Sequence, residues 1–218
     1  MILRNRDGSY CFAHPSLIDF YVAQRIFGEI TAGNSKLFAT AQTTHDTDLV
    51  LREFVLRSQA STRALAQWMK RGPSAVLRVN SAGVLAKLKS AVLDDEVIRT
   101  LKGDLDTRQL YLTAVASRVL EVPWAEAADI AASAEQRRGM GTAYADRGAH
   151  FADRLAGELN NPRDGAARWC SIVLLGQLHD VEPTTSSAAL HTALHREAST
   201  ENLRSIGAVL AGDSPISY

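Results

Sequence analysis

From residue 46 onward the chain is a near-continuous run of amphipathic segments of ten to twenty residues, cut at Gly72-Pro73, Pro123, Asn160-Asn161-Pro162 and Pro183. That pattern constrains the fold more than any other feature. Proline and paired turn formers end helices at defined places, and short gaps between helices make neighbours pack antiparallel. The periodicity predicts helices over 47–58, 61–71, 74–89, 94–103, 106–120, 124–138, 141–160, 163–179, 185–197 and 200–211. Aromatic residues make up only 6% of the chain, and Ala and Leu, which lose little side-chain entropy in a helix, dominate. The expected fold is all-α: a HEAT-like stack of antiparallel helix pairs.

The N-terminus differs. Ile2-Leu3-Arg4 and Tyr10-Cys11-Phe12 flank Asn5-Arg6-Asp7-Gly8-Ser9, and an Asp-Gly pair between short apolar runs signals a hairpin. A helix then opens at Pro15, whose missing N–H is not needed at a first helical position. Leu17, Phe20, Tyr21, Ile26 and Phe27 supply an apolar face to it. Residues 31–46 are polar and broken, and read as a loop. The expected division is therefore 1–46, a hairpin with one helix and a loop, and 47–218, a helical array.

The array carries an internal repeat. The run from Arg78 to Leu88 and the run from Arg168 to Leu178 both read R-x-x-S-x-x-[VL]-L-[AG]-x-L. Looser copies start at Arg108 and Arg204. The first three arginines are separated by multiples of 30 residues, with Arg138 at the vacant place. One helix pair per unit gives such a period. Two roles suit these arginines: an anion-binding ladder on the surface, or internal pairing with a carboxylate or a helix C-terminus. The residues favour the internal role.

The stretch from Tyr10 to Ala23, Y-C-F-A-H-P-S-L-I-D-F-Y-V-A, resembles the end of the winged-helix part of NACHT-type STAND NTPases. Phe12, His14, Ser16, Leu17, Asp19, Phe20 and Ala23 occupy the positions of that pattern, and the hairpin resembles its wing. The likeness covers about the first 30 residues. It implies that His14 is the nucleotide-sensing histidine, which in the family reaches the phosphates of ADP. It also implies that the helical array is the sensing half of a switch, working with an NTPase module in cis or in trans. The chain departs from the family in having no G-x-x-x-x-G-K-[ST] loop; the Gly-rich run at Arg138-Gly139-Met140-Gly141-Thr142 lacks the lysine and the spacing. The resemblance therefore implies the C-terminal region of such a protein, or a stand-alone relative without the NTPase core.

The functional expectation is a non-catalytic helical interaction or sensor module of a NACHT-like signalling, defence or regulatory system, with a protein or small-ligand partner and no cofactor. The 24 basic and 24 acidic residues balance, so bulk charge gives nucleic acid no hold on the chain. Two cysteines, Cys11 and Cys170, and no apolar run of about 20 residues fit a cytoplasmic protein with no membrane span.

Two alternatives remain open. One is an HD-type metal-dependent phosphohydrolase, for which His14, His45-Asp46 and Asp94 or Asp95 would supply imidazole and carboxylate ligands; Asp46 otherwise reads as a helix N-cap. The other is the C-terminal regulatory part of a bacterial transcriptional regulator. His191 and His195, one helical turn apart, have zinc-compatible spacing without the Glu of H-E-x-x-H. His179-Asp180 sits at a helix end. Cys170 reads as a buried core thiol, and Arg137, Arg138, Arg147 and Arg154 as a solvated face interleaved with Asp146 and Asp153.

Overall fold

The computed structural model describes residues 2–4, 10–12, 15–88, 94–135, 146–161, 165–179 and 181–216. The fold is all-α with one short hairpin. Strands β1 (Ile2–Arg4) and β2 (Tyr10–Phe12) pair antiparallel, with Leu3 opposite Cys11. Helices α1 (Pro15–Thr31), α2 (His45–Val55), α3 (Gln59–Arg71) and α4 (Ala75–Leu88) follow. Then come α5 (Asp94–Gly103), α6 (Leu105–Leu120), α7 (Trp124–Glu135), α8 (Gly148–Leu159), α9 (Gly165–Leu178), α10 (Pro183–Leu194) and α11 (Thr200–Leu210). The chain forms two compact units, Met1–Leu88 and Lys89–Tyr218.

Helix starts follow capping chemistry. Ser58, Asp104 and Ser199 hold extended backbone and accept an N–H from three residues on, at the heads of α3, α6 and α11. Thr44 caps α2 in the same way, so Asp46 lies inside the first turn and is not the cap. Pro183 begins α10 rather than preceding it, because the first turn needs no proline N–H.

In the first unit, α1 packs on α2 and α3, and α4 packs on α2 and α3. Ile26, Ile30, Leu51, Val55, Leu65, Met69 and Leu77 fill the core. In the second unit the helices gather around α9, which touches α5, α6, α7, α8, α10 and α11. The sequence of α9 explains its place: Ala166, Trp169, Cys170, Ile172, Val173, Leu174 and Leu175 are apolar on every side of the helix and all are buried. Gly176 sits where an added Cβ would come within 3.2 Å of Val209, so its size sets how closely α11 approaches.

The repeated arginines do one job three times. Arg78 Nε donates to the Met69 carbonyl at 2.9 Å, on the last turn of α3. Arg108 Nη1 donates to the carbonyls of Leu101 (2.9 Å) and Lys102 (3.1 Å) on the last turn of α5. Arg168 Nη1 donates to the Asn161 carbonyl at 2.7 Å, just beyond α8. Each arginine stands near the head of the second helix of a hairpin and occupies carbonyls at the tail of the first. Those carbonyls have no intrahelical partner and carry the negative end of the helix dipole. Arg204 breaks the series: it is exposed on α11 and pairs with Glu201 at 3.3 Å. Arg138 lies outside the described residues.

Arg168 does more than close a hairpin. Its Nε and Nη2 donate to Glu197 at 2.8 and 2.9 Å, and both side chains are buried. Glu197 also accepts the N–H groups of Ala198 and Ser199 and the amide of Asn202. Desolvation pushes the Glu197 carboxyl upward, but the Arg168, Ser199 and Asn202 hydrogen bonds outweigh it and hold it below the usual range.

The matching serines of the repeat, Ser81 and Ser171, are fully buried, and neither hydroxyl has a hydrogen-bond partner among the described residues. Their value is small volume at a helix contact. Replacing either with Ala removes an orphaned hydroxyl and is expected to leave stability unchanged or raise it by up to about 1 kcal/mol in a urea titration. Arg168→Ala, by contrast, strands a buried carboxylate and should cost about 3–5 kcal/mol, most of which Arg168→Met with Glu197→Leu should restore. The Glu197 contribution is fully present above the unfolded glutamate value of about 4.3 and disappears as pH falls through the depressed folded value. A urea midpoint that fell equally in native and double-variant protein on acidification would contradict that assignment.

Candidate functional site

The outward face of α1 is the strongest candidate site among the described residues. The inward face of the helix carries Ala23, Ile26, Glu29 and Ile30, all buried. Tyr21 belongs to the opposite side, contrary to the single apolar face expected from sequence. Ile18 is 47% exposed and Tyr21 48% exposed. A cleft of about 590 Å³ runs along this face, lined by Tyr21, Gln24, Arg25, Gly28, Glu29, Ala32 and Asn34. Phe20 packs edge-on against Tyr21 and Phe54, and Phe27 stacks on Phe54.

Behind this face a polar network fixes the helix and the loop that follows it. The buried amide of Asn80 donates to the Phe38 carbonyl at 2.7 Å and the Ala41 carbonyl at 2.9 Å, and its oxygen accepts the Thr43 N–H at 3.1 Å. Glu29 accepts the Leu37 N–H at 2.7 Å. Asp48 is buried, pairs with buried Lys87 at 2.8 Å and accepts the Thr43 hydroxyl. The loop thus has these backbone groups satisfied and Phe38 sunk fully into the core.

Asp19, the acidic position of the NACHT-like pattern, ties α1 to the head of α2. It accepts the hydroxyls of Thr47 at 2.7 Å and Thr44 at 2.8 Å. Those two bonds, the Thr47 bond first, hold its carboxyl below the ordinary aspartate range. Sequence reasoning singled out Asp19 by position. It missed Asn80, Asp48 and Lys87, whose partners lie some forty residues away in sequence, and no local signal marks such a pairing.

The other predicted site residues are distributed as follows. His14 lies outside the described residues, as does the side chain of Asp94, whose backbone opens α5, and so does that of Asp95. His45 and Asp46 are exposed on the first turn of α2. His191 and His195 are exposed, one in the last turn of α10 and one at its C-cap. His179 is half-buried and bonds Ser187 through Nε2 at 3.0 Å; Asp180 lies outside the described residues. Among the described residues no three His, Cys, Asp or Glu side chains gather as a metal would require. Cys170 is fully buried in α9. Arg147 pairs with Glu126 and Arg154 with Glu121, while Arg137 lies outside the described residues. No described helix is long and apolar enough to cross a membrane.

Comparison with protein-family models, with curated proteins and with solved structures finds no match to this chain.

The network makes the loop a fixed part of the first unit. Asn80→Ala would leave the buried Phe38 carbonyl without its partner, at about 1–3 kcal/mol for a group left dry, and would remove two further bonds to half-buried loop backbone. A large drop in the urea midpoint is expected. An unchanged midpoint would show that the loop does not depend on this side chain.

Proposed function

We propose that this chain is a non-catalytic helical interaction module that binds a protein through the outward face of α1. One observation carries the reading: Tyr21, 48% exposed, lines an open cleft on a helix whose other side is tied to its neighbours by Glu29 to the Leu37 N–H and by Asp19 to the Thr44 and Thr47 hydroxyls. Rigid aromatic anchors on a preorganised surface bind at low entropic cost. The likeness of residues 10–23 to the end of the winged-helix part of NACHT-type NTPases places the module, by resemblance, in a cytoplasmic signalling, defence or regulatory system. There an NTPase in cis or in trans would be its natural companion, with His14 as the residue that meets nucleotide. The phosphohydrolase and transcriptional-regulator alternatives have no specific observation among the described residues in their favour.

Affinity capture on immobilised chain, quantified by mass spectrometry, tests the reading. Native protein is expected to retain a defined protein partner, and Tyr21→Ala is expected to reduce that retention at least tenfold with an unchanged circular-dichroism spectrum. Equal retention by native and variant protein would contradict α1 as the binding face.

A further inference from the structure

Helix α11 closes within residues 208–213. Its C-cap is Ala211, and Gly212 follows with left-handed backbone at φ 78°. The Gly212 N–H donates to the Val209 carbonyl at 3.0 Å, and the Asp213 N–H donates to the Ala208 carbonyl at 2.8 Å. Those are the two bonds that satisfy a helix end when a glycine reverses the chain. The helix end therefore needs nothing from Ser214, Pro215 and Ile216. The reversal lays those three residues back against α11, with Pro215 buried and Ile216 half-buried.

Ser205 meets them there. It is fully buried, and its hydroxyl accepts the indole N–H of buried Trp169 at 3.1 Å. Two carbonyls lie within reach of that hydroxyl, Glu201 on its own helix at 3.0 Å and Pro215 at 3.2 Å. A serine hydroxyl has one proton, so the two carbonyls compete for it. When Pro215 leaves, the proton goes to Glu201, a bond serine makes readily to the preceding helical turn. Trp169 keeps its acceptor, and the Pro215 carbonyl meets water. Departure strands no polar group at Ser205, so the usual penalty for breaking a buried hydrogen bond is absent.

Packing beneath the segment is incomplete as well. The described residues leave a cavity of about 200 Å³ there, lined by Gly176 and Val209 on one side and by Ser214, Pro215 and Ile216 on the other. Side chains that face such a gap lack part of the dispersion contact a filled core supplies. We infer that Ser214–Ile216 is a latch, hinged just beyond the Gly212 turn, that opens while the helices of the second unit stay folded. Open, it uncovers Val209 and the cavity; closed, it seals them. Such a local opening costs less than unfolding of the helices it covers.

Thiol labelling of the full chain, read at each cysteine by mass spectrometry, tests the latch. Val209→Cys sets a thiol under it, at a position 6% exposed in the closed form, and the fully buried Cys170 of α9 is the internal reference. The thiol at 209 is expected to react at least about a hundredfold faster than Cys170, as separate local and core openings require. Adding Ile216→Ser removes apolar surface from the latch and should speed labelling at 209 by about fivefold to tenfold, with Cys170 and the circular-dichroism spectrum unchanged. Three results overturn the inference. The thiol at 209 is as slow as Cys170, which makes the segment part of the core. It is fast but indifferent to Ile216→Ser, which means that the cavity is open without any latch movement. Or Ile216→Ser speeds both thiols equally, which makes the opening a general unfolding.

Discussion

The first unit depends on one side chain more than any other: the buried amide of Asn80. Its three hydrogen bonds fasten a polar, proline-free loop onto α4. A loop of that composition has no apolar stripe to hold it down. Without the amide its carbonyls would seek water and Phe38 would leave the core. With it, the loop becomes a wall behind α1, and the Glu29 bond to Leu37 closes the wall from the helix side. Asp48 and Lys87 add a buried ion pair to the same wall. Such a pair contributes little net stability against an apolar replacement, yet breaking it is costly. Its effect is to allow one arrangement of α2 against α4.

A second constraint recurs in both units. Arginines 78, 108 and 168 each turn a helix hairpin into a closed unit by satisfying carbonyls that the preceding helix cannot. The guanidinium suits this task because its donors are fixed in a plane and its charge opposes the dipole of the helix end. The sequence repeat is thus a repeat of hydrogen-bonding geometry. Its copies differ in what else they recruit, Arg168 taking a buried carboxylate in Glu197.

Much of this architecture is legible in the sequence. Helix positions follow from the 3.6-residue period and from the Gly-Pro and Asn-Asn-Pro breaks, and the structure places the described helices within a few residues of them, except that α8 opens at Gly148 and not at 141, residues 141–145 lying outside the described residues. The arginine repeat is visible as a pattern, and its internal role follows from the chemistry of helix ends. The candidate site is far less legible. Tyr21 sits next to Phe20 and four residues after Leu17, so periodicity alone draws all three onto one face. What turns the helix is Asp19, which faces the hydroxyls of Thr44 and Thr47 and so commits residues 19, 22, 23, 26 and 30 to the inner side. The same holds for Asn80, which inside an apolar repeat reads as an ordinary helix residue until its partners are in view.

The account makes α1 and the loop behind it a rigid part of the first unit, and this is its most exposed claim. Native-state hydrogen exchange reads it directly, since each amide reports the free energy of the opening that releases it. The account predicts that the Leu37 and Thr43 amides, and those of Ala23 to Ile30, exchange with the same free energy as the core of α4, Leu77 to Leu85. Fast exchange of Leu37 and Thr43 in native buffer, with α4 still protected, would contradict it.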